Sequence, residues 1–409
     1  MISRAASTAI VLACAAWLAA NAEASSYRFH SLYDFCAQAN CPDGDGPLGL
    51  SVDAHDNLFG VTFEGGGTGS GTLFELAGAK GKQFRTIHAF CCGEGGEPAF
   101  APVIAKGGFL FGITSGTTGD GTLFRMSHDG QVKVLFQFCP DCALGVSLSP
   151  LTYRGAQSGR LYNGISRLYG TASGGSAGGG LVYQAVPDGD SVQVKVLHEF
   201  CGLPCTEGTG PNFITIADDG TIYGTTEAGG AQNAGVVFML VPNGRGEWTE
   251  TTLYQFCRLA SCADGQLPDG PLLIDNDGNL IGTTQSGGDG DGGVLFSITP
   301  NGENSQETVL HTFCRDCGEG TLPTGGVKMG PNGDLFGATA FSGGGTIYRL
   351  SGGTFETLYH FCQLQDCADG DSPGAPLVID AKGNVFGTTQ TGGLSESTGG
   401  TVFELKAKR

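Results

Sequence analysis

Fourteen of the 15 cysteines form seven close pairs along the chain. The pairs are Cys36/Cys41, Cys91/Cys92, Cys139/Cys142, Cys201/Cys205, Cys257/Cys262, Cys314/Cys317 and Cys362/Cys367. Evenly paired cysteines in an exported protein are typical of disulfide bonds. A disulfide closing so short a loop contributes roughly 2 kcal/mol in the chain-entropy model. We predict six disulfides within loops, and for the adjacent Cys91 and Cys92 either a vicinal disulfide or two free thiols.

Two of these pairs have a spacing that also serves other chemistry. Cys139-Pro-Asp-Cys142 and Cys314-Arg-Asp-Cys317 match the CxxC pattern of redox enzymes and of zinc sites. Redox chemistry uses a helix N-terminus to lower the thiol pKa, and no helical pattern follows either pair. A structural zinc site needs two such pairs close together, whereas these are three repeats apart. The sequence therefore favours disulfides and predicts neither a metal nor a cofactor.

Two further motifs have a nucleophile or metal-ligand pattern. Gly174-Gly-Ser-Ala-Gly178 fits GxSxG, but a nucleophile elbow needs a strand before it and a helix after it, and Ser176 lies in a Gly-rich loop. Asp289 and Asp291 share one loop and offer oxygen ligands for Ca²⁺, yet the full EF-hand pattern is absent. A solvated loop is the favoured interpretation of the second motif, and we predict no catalytic residue.

Three histidines occupy one position of a repeat. The repeat is a unit like Phe-Gly-Thr-Thr followed by Gly-Thr-Val-Phe, and its copies begin with Leu58–Thr62, Leu110–Thr114, Leu168–Ala172, Ile222–Thr226, Leu280–Thr284, Leu335–Thr339 and Val385–Thr389. A third run, of the type Leu-Tyr-x-Phe, ends at Phe35, Phe90, Phe138, Phe200, Phe256, Phe313 and Phe361. His88, His198 and His311 stand two residues before this Phe, where other copies have Tyr or Phe. The position therefore predicts ring packing rather than catalysis.

Self-similarity at a long period indicates a solenoid, a propeller or an array. The repeated runs are short, β-branched and aromatic, and Gly, Asn and Asp bound them, so they are predicted strands. Each period holds four strands, which predicts an all-β, seven-bladed propeller of four-stranded antiparallel blades. The run from Tyr27 to Phe35 supplies the fourth strand that the last blade lacks, so both termini close one blade. The Gly within each Phe-Gly-Thr strand predicts close approach of the neighbouring blade.

Together these motifs resemble the GloVer tandem repeat of bacterial "choice-of-anchor" exported proteins. The resemblance covers essentially all of the mature chain and rests on the Asp-x-x-Gly-Asn turn, the Phe-Gly-Thr-Thr strand, the Gly-Gly loop, the Gly-Thr-Val-Phe strand and the Leu-Tyr-x-Phe run. It implies an exported, propeller-like protein with no established activity and no catalytic residues to assign.

Residues 1–24 have the pattern of a signal peptide. Arg4 precedes an apolar run, and Ala22-Glu-Ala24 offers a small-x-small cleavage site. The remaining residues, 25–409, form a single predicted domain that is periplasmic or extracellular and has no transmembrane segment. The formal net charge of −19 argues against nucleic acid and against an anionic membrane surface. We expect a monomer.

An insertion departs from the repeat between Leu151 and Leu168. It carries Tyr153, Arg154, Arg160, Tyr162 and Arg167 in a chain that is otherwise acidic. Arg and Tyr are favoured in interfaces, so these residues are a candidate partner-binding site. The alternative, a tolerated loop insertion, is somewhat favoured.

Three functions are compatible with these features, and the one without a ligand is a purely structural component of the cell envelope. The other two involve a ligand. One is a binding or scaffold module whose loops engage a glycan or protein ligand, with the Cys loops as its binding face. The alternative is a secreted glycan-active hydrolase or lyase with a site at the central channel. The second requires inward carboxylates that break the repeat, whereas Asp218, Asp275 and Asp380 recur at what we align as one repeat position, which indicates a turn role.

Overall fold

The structure is a computed structural model that describes residues 26–78, 83–116, 121–138, 143–146, 149–315, 317–394 and 399–408, apart from the Ala375 side chain. The predicted signal peptide lies outside these ranges. The described residues form seven antiparallel sheets arranged as a β-propeller, which confirms the predicted fold class. They include two single 3₁₀ turns, Ala260–Cys262 and Gln365–Cys367, and no α-helix. None of their helical segments is long and apolar enough to cross a membrane.

The blades are numbered in chain order, and each runs from its inner first strand to its outer last strand. Blade 7 is completed by β1 (Tyr27–Asp34). Blade 1 consists of β2 (Asp45–Val52), β3 (Leu58–Glu64), β4 (Thr72–Ala77) and β5 (Gln83–Ala89). Blade 2 consists of β6 (Val103–Ile104), β7 (Leu110–Thr114), β8 (Thr122–Met126) and β9 (Val132–Gln137). Blade 3 consists of β10 (Leu168–Ala172), β11 (Leu181–Asp188) and β12 (Ser191–Glu199). The strands of blades 4 and 5 are β13 (Thr209–Ile216), β14 (Ile222–Ala228), β15 (Val236–Pro242) and β16 (Trp248–Gln255); β17 (Gln266–Ile274), β18 (Leu280–Ser286), β19 (Asp291–Thr299) and β20 (Gln306–Cys314). Those of blades 6 and 7 are β21 (Thr321–Met329), β22 (Leu335–Phe341), β23 (Thr346–Ser351) and β24 (Thr354–His360); β25 (Asp371–Ile379), β26 (Val385–Thr391) and β27 (Thr401–Ala407).

The two ends of the chain close the ring as predicted. Strand β1 pairs antiparallel with β27, from Tyr27 opposite Ala407 to Asp34 opposite Thr401. The sheet order β1-β27-β26-β25 makes the N-terminal strand the outer edge of the blade formed by the C-terminal residues. Closure removes the open sheet edges that a linear array would leave.

Blade 3 differs from the predicted four-stranded pattern. Its sheet has the three strands β10 to β12. The isolated bridge between Thr152 and Tyr169 stands where the other blades have a paired first strand. The reason is the insertion, which leaves the blade directly after Thr152 and returns only at β10.

The core consists of aromatic rings that interlock between blades. Each repeat Phe at the end of an outer strand is essentially fully buried and packs against the ring on the third strand of the next blade. The ring centroids are 4.9–5.6 Å apart in the seven pairs Phe35–Phe74, Phe90–Phe124, Phe138–Tyr183, Phe200–Phe238, Phe256–Phe296, Phe313–Tyr348 and Phe361–Phe403.

The glycine of each Phe-Gly-Thr strand makes room for the same third-strand ring. A Cβ added to Gly224 would lie 2.4 Å from Cζ of Phe238, and one on Gly387 would lie 2.6 Å from Cζ of Phe403. In both pairs the ring belongs to the same blade as the glycine. The sequence-based expectation that the neighbouring blade is the close surface is therefore wrong, because the crowding comes from within the sheet.

The propeller has two faces with different loops. The Gly-rich loops and the Cys loops share one face, where Gly230 N donates to Cys205 O at 2.9 Å and Gly288 N to Cys262 O at 2.9 Å. We call it the Cys-loop face. The opposite turn face carries the turns between first and second strands, where the carboxylate of Asp380 accepts three hydrogen bonds, including one from the Asn384 amide.

One aspartate was assigned to the wrong turn position. Asp275 accepts turn hydrogen bonds as Asp380 does. In blade 4, however, the equivalent residue is Ala217, whose N–H bonds Thr221 O just as that of Asp275 bonds Asn279 O. Asp218 is therefore one residue out of register, and its side chain binds the insertion instead.

Candidate functional site

Five of the predicted disulfides are present, in the pairs Cys36–Cys41, Cys201–Cys205, Cys257–Cys262, Cys314–Cys317 and Cys362–Cys367. The pair Cys139 and Cys142 lies outside the described residues. Cys91 and Cys92 both carry free thiols, with Cys92 exposed. Five short disulfide loops indicate a protein that folds in an oxidising, exported environment.

Each of six Cys loops ends in an acidic residue that lies against the aromatic or histidine side chain before the repeat Phe, and in five of the six the two side chains are hydrogen-bonded. The pairs are Tyr33–Asp43, His88–Glu94, His198–Glu207, Tyr254–Asp264, His311–Glu319 and Tyr359–Asp369, at 2.7–3.0 Å except for the longer 3.8 Å contact of His198. The Asp264 carboxylate also accepts the backbone N–H groups of Arg258 and Leu259. The histidine position is therefore structural, as predicted, but it bonds a loop acid in addition to packing. The sequence does contain a signal for this bond, because a Tyr and an Asp stand ten residues apart in three copies of the repeat.

The insertion lies on the turn face and spans four blades. Tyr162 O accepts a hydrogen bond from Lys106 N in blade 2 at 2.7 Å. Arg154 Nε donates to Asp218 O in blade 4 at 2.6 Å, and Arg160 forms an ion pair with the same residue at 2.8 Å. Gln157 Nε2 reaches Leu272 O on β17 of blade 5 at 3.4 Å. The insertion thus covers the turn-face end of the central channel.

The candidate binding residues of the insertion differ in exposure. Tyr162 is fully buried and packs against Phe111 at 5.3 Å between ring centroids and against Tyr153 at 5.2 Å. The Tyr153 hydroxyl donates to Arg160 O at 2.6 Å. Arg167 is exposed. The two tyrosines are therefore the core of the insertion, and the surface that it offers to a partner includes its arginines and Ile165.

Two phenylalanines meet inside the channel. Phe100 precedes β6 of blade 2, and Phe213 lies on β13 of blade 4. Their rings contact edge to face with centroids 6.0 Å apart, although their blades are not neighbours. At the position of Phe213, the first strands of blades 1, 5 and 6 have Gly49, Gly270 and Gly325. A Cβ on Gly270 would lie 2.1 Å from Gly326 N, so small residues are required where these inner strands touch.

A pocket of about 290 Å³ opens beside these rings at the Cys-loop end of the channel. It is lined by Phe100, Asn212, Phe213, Glu227, Leu267, Pro268, Asp269 and Gln285. Most of these residues stand at the beginning of a first strand or at the end of a second strand of blades 4 and 5, which is the edge nearest the Cys-loop face. The pocket therefore combines two phenyl rings, two side-chain amides and two carboxylates.

Asp269 is the inward carboxylate that the sequence analysis required for a channel site but did not find. It follows the first-strand proline, where other blades have Leu48, Ala99, Asn212, Thr324 or Gly374. The Gln285 amide and the N–H groups of Gly270 and Gly325 donate to its carboxylate. Burial nevertheless raises the pKa of Asp269 above its usual range. Comparing first strands position by position would have found it, although the strand bulges obscure that alignment.

A larger cleft of about 640 Å³ lies between blades 7 and 1 on the turn face. Its lining includes Asp53 and Asp380, whose carboxylates are occupied by the hydrogen bonds of their own turns. The remaining lining mixes Lys382 and Lys406 with Asp56, Glu404 and apolar side chains. The channel pocket is the better candidate, because its polar groups come from positions that break the repeat and converge on one space.

The remaining sequence candidates have structural partners. Ser176 donates its hydroxyl to the Glu199 carboxylate at 2.8 Å, within a loop and without a histidine partner among the described residues. The Asp291 carboxylate accepts Gly287 N at 3.0 Å and lies 3.8 Å from Arg315. Ser176 is therefore part of a Gly-rich loop, and Asp291 stands where such a loop leads into β19.

Comparison with known proteins gives distant similarities only. No protein-family model matches the sequence. No curated protein sequence matches it either. Solved structures with a similar course include a gluconolactonase from Xanthomonas campestris, at 14% identity and TM-score 0.42 over 93% of this chain and 90% of that one. An α-L-arabinanase from Penicillium chrysogenum, complexed with arabinobiose, has 11% identity and TM-score 0.47 over 93% and 98% of the two chains.

A puromycin hydrolase matches with 16% identity and TM-score 0.48. The match covers 84% of this chain, which spans only half the length of that protein. Similarities at this level carry no functional information, so the function has to be inferred from the pocket itself.

Proposed function

We propose that this protein is an exported, disulfide-braced propeller of the GloVer repeat type that binds a saccharide in the channel pocket. The observation that carries the proposal is the convergence of phenyl rings, amides and carboxylates in one recess. Small-molecule sites are concave, largely apolar and furnished with a few placed polar groups. A sugar presents C–H faces that pack on rings such as Phe213 and hydroxyl groups that bond amides such as Asn212 and Gln285. The volume of about 290 Å³ suits the end of a glycan rather than a long segment.

The proposal includes the compartment and the state of the protein. It acts in the periplasm or outside the cell as a monomer and binds no nucleic acid. Its disulfides and its net charge of −19 support this assignment.

Replacing Phe213 by alanine is expected to weaken glycan binding at least tenfold. The ring supplies much of the apolar wall of the pocket, and losing it removes contact with the sugar face. A glycan array with the purified protein identifies ligands, and calorimetry with wild type and variant measures the loss. Phe341→Ala is the matched control, since that ring is 58% exposed at the end of β22 on the same face. If no glycan binds, or if Phe213→Ala binds as well as wild type, the proposal fails.

A second candidate function, a glycan hydrolase or lyase, is favoured by one observation. Glu227 is exposed, whereas burial raises the pKa of Asp269 in the same pocket. Carboxyl groups with such different environments can divide acid and base roles. If the protein is an enzyme, Asp269→Asn should abolish release of reducing ends from a glycan that the variant still binds. Binding of wild type without any turnover would leave the binding module as the function.

A further inference from the structure

The pocket presents negative charge without a positive side chain. Its lining includes Glu227 and Asp269 but no Lys, Arg or His. Within the described part of the chain, Glu227 takes part in no ion pair, and Asp269 is bonded by uncharged donors alone. A recess that holds carboxylates and no positive side chain favours a cationic group on its ligand over an anionic one. The rest of the chain, with its net charge of −19, also attracts cations.

A buried hydroxyl without a partner lies beside this charge. Thr225 is 1% exposed, and its Oγ1 has no hydrogen-bond partner. The equivalent threonines bond first-strand backbone: Thr171 Oγ1 donates to Asn212 O, Thr283 Oγ1 to Asp269 O, and Thr388 Oγ1 accepts from Gly49 N. Thr225 stands two residues before Glu227 on β14, so both side chains project from the same face of blade 4. An unsatisfied buried hydroxyl costs about 1–3 kcal/mol. Thr225 is not among the residues that line the pocket, so its hydroxyl is not counted among the ligand contacts.

The phenyl rings also restrict the chemistry of the ligand. Phe100 and Phe213 present ring edges and faces to the same recess. Aromatic faces attract an ammonium group and also pack against the C–H face of a sugar ring. A neutral sugar would use the rings and the amides but would make no use of the carboxylates as partners for a positive group, whereas a simple alkyl amine would make no use of the side-chain amides.

We infer that the ligand of the channel pocket is an amino sugar, a saccharide that carries a free ammonium group. This inference rests on the proposed saccharide binding and specifies its chemical class. The ammonium group binds the carboxylates of Glu227 and Asp269, and the ring hydroxyls bond the amides of Asn212 and Gln285. The saccharide therefore enters the pocket through its amine-bearing end.

The test is calorimetric titration at pH 6 and two salt concentrations with four probes. These are a β-1,4-linked glucosamine tetramer, the matching N-acetylglucosamine tetramer, a glucose tetramer with the same linkage, and spermidine. We expect the glucosamine tetramer to bind at least tenfold more tightly than the other three, and the difference to shrink at high salt. Glu227→Gln should remove most of that preference and change the affinity for the N-acetylated tetramer less than twofold. Glu64→Gln, an exposed acid at the end of β3 on the same face, is the matched control and should leave the preference intact.

The outcomes separate the inference from the proposed function. Tighter binding of the N-acetylated or glucose tetramer overturns the inference and leaves saccharide binding standing. Spermidine binding as tightly as the glucosamine tetramer also overturns it, because the site would then recognise an amine without a sugar. If none of the saccharides binds here and none binds on the array, the proposed function itself is wrong. A preference that Glu227→Gln leaves unchanged places the amine elsewhere and contradicts the assignment.

Discussion

Replacing Tyr162 by alanine is expected to lower the free energy of unfolding by about 3–5 kcal/mol, the range for truncating a large aromatic side chain in a core. Tyr162 is fully buried and belongs to the cluster that joins blades 2 and 3. Its ring packs on Phe111, and its hydroxyl donates to Ser166 O, so truncation removes packing and leaves an acceptor without its donor. Blade 3 has no paired first strand among the described residues and depends on the insertion to cover its inner edge.

The measurement is denaturant unfolding together with calorimetric melting of the wild type and two variants. Ile165→Ala is the control, because Ile165 lies three residues along the same insertion and is 76% exposed. It should change stability by no more than about 0.5 kcal/mol. Equal stability of Tyr162→Ala and wild type would show that the insertion is an appended loop, as the sequence alone favours, and not part of the core.

The features predicted correctly from the sequence are those that recur in the seven copies of the repeat. Apolar runs of period two, Gly-rich turns and paired cysteines recur in each copy, and the unmatched run from Tyr27 to Phe35 indicates where the ring closes. Five of the predicted disulfides follow from spacing alone, because four to six residues of chain bring two thiols close in almost any loop.

The pocket is different, because it is built where the copies disagree. Phe213 and Asp269 stand in first strands, whose bulges shift the alignment between copies and hide the equivalence of positions, and Phe100 precedes the short first strand of blade 2. The contact between Phe100 of blade 2 and Phe213 of blade 4 also crosses the channel. Whether two residues meet across the channel depends on its width, which a local sequence pattern does not show. The insertion shows the same limit: its arginines and tyrosines suggested an interface, but only the fold shows that Asp218 and Leu272 lie within their reach.

Replacing both Glu250 and Glu307 by phenylalanine is expected to stabilise the protein, and more so at pH 8 than at pH 4.5. In the pairing with the third strand, Glu250 lies opposite Leu240 and Glu307 opposite Ile298. The same position holds Phe84 and Phe355 in blades 1 and 6. There the ring stacks on the loop-bonded side chain of the preceding blade, with centroid distances of 3.7 Å for Tyr33–Phe84 and 3.8 Å for His311–Phe355. In blades 4 and 5 the half-buried carboxyl groups of Glu250 and Glu307 take the place of the stacked phenyl ring.

Burial raises the pKa of both carboxyl groups from 4.5 to about 7. A neighbouring acid contributes in each blade, Glu207 for Glu250 and Asp264 for Glu307. The folded state therefore retains protons that the unfolded chain loses between pH 4.5 and 7. Each group lowers the free energy of unfolding as the pH rises through this window, and the loss is complete above pH 7. Because both side chains are partly exposed, solvent screening reduces the effect to about 1–2 kcal/mol per group.

The difference in unfolding free energy between the double variant and wild type, measured by denaturant titration from pH 4.5 to 8, reports these two groups together with their coupling to Glu207 and Asp264. It should increase steadily over that range and level off near pH 8, with a total rise of about 2–4 kcal/mol for the pair. A second double variant with Gln at both positions separates the effect of charge from that of packing. Its difference in unfolding free energy from wild type should depend on pH in the same way. It should lack the stabilisation at pH 4.5 that the Phe variant gains by stacking on His198 and Tyr254. The reverse change, Phe84→Glu, should introduce a loss of stability with rising pH into blade 1. A difference that stays constant with pH would mean that Glu250 and Glu307 are ionised in the folded protein at pH 5 and that the Cys loops leave them hydrated.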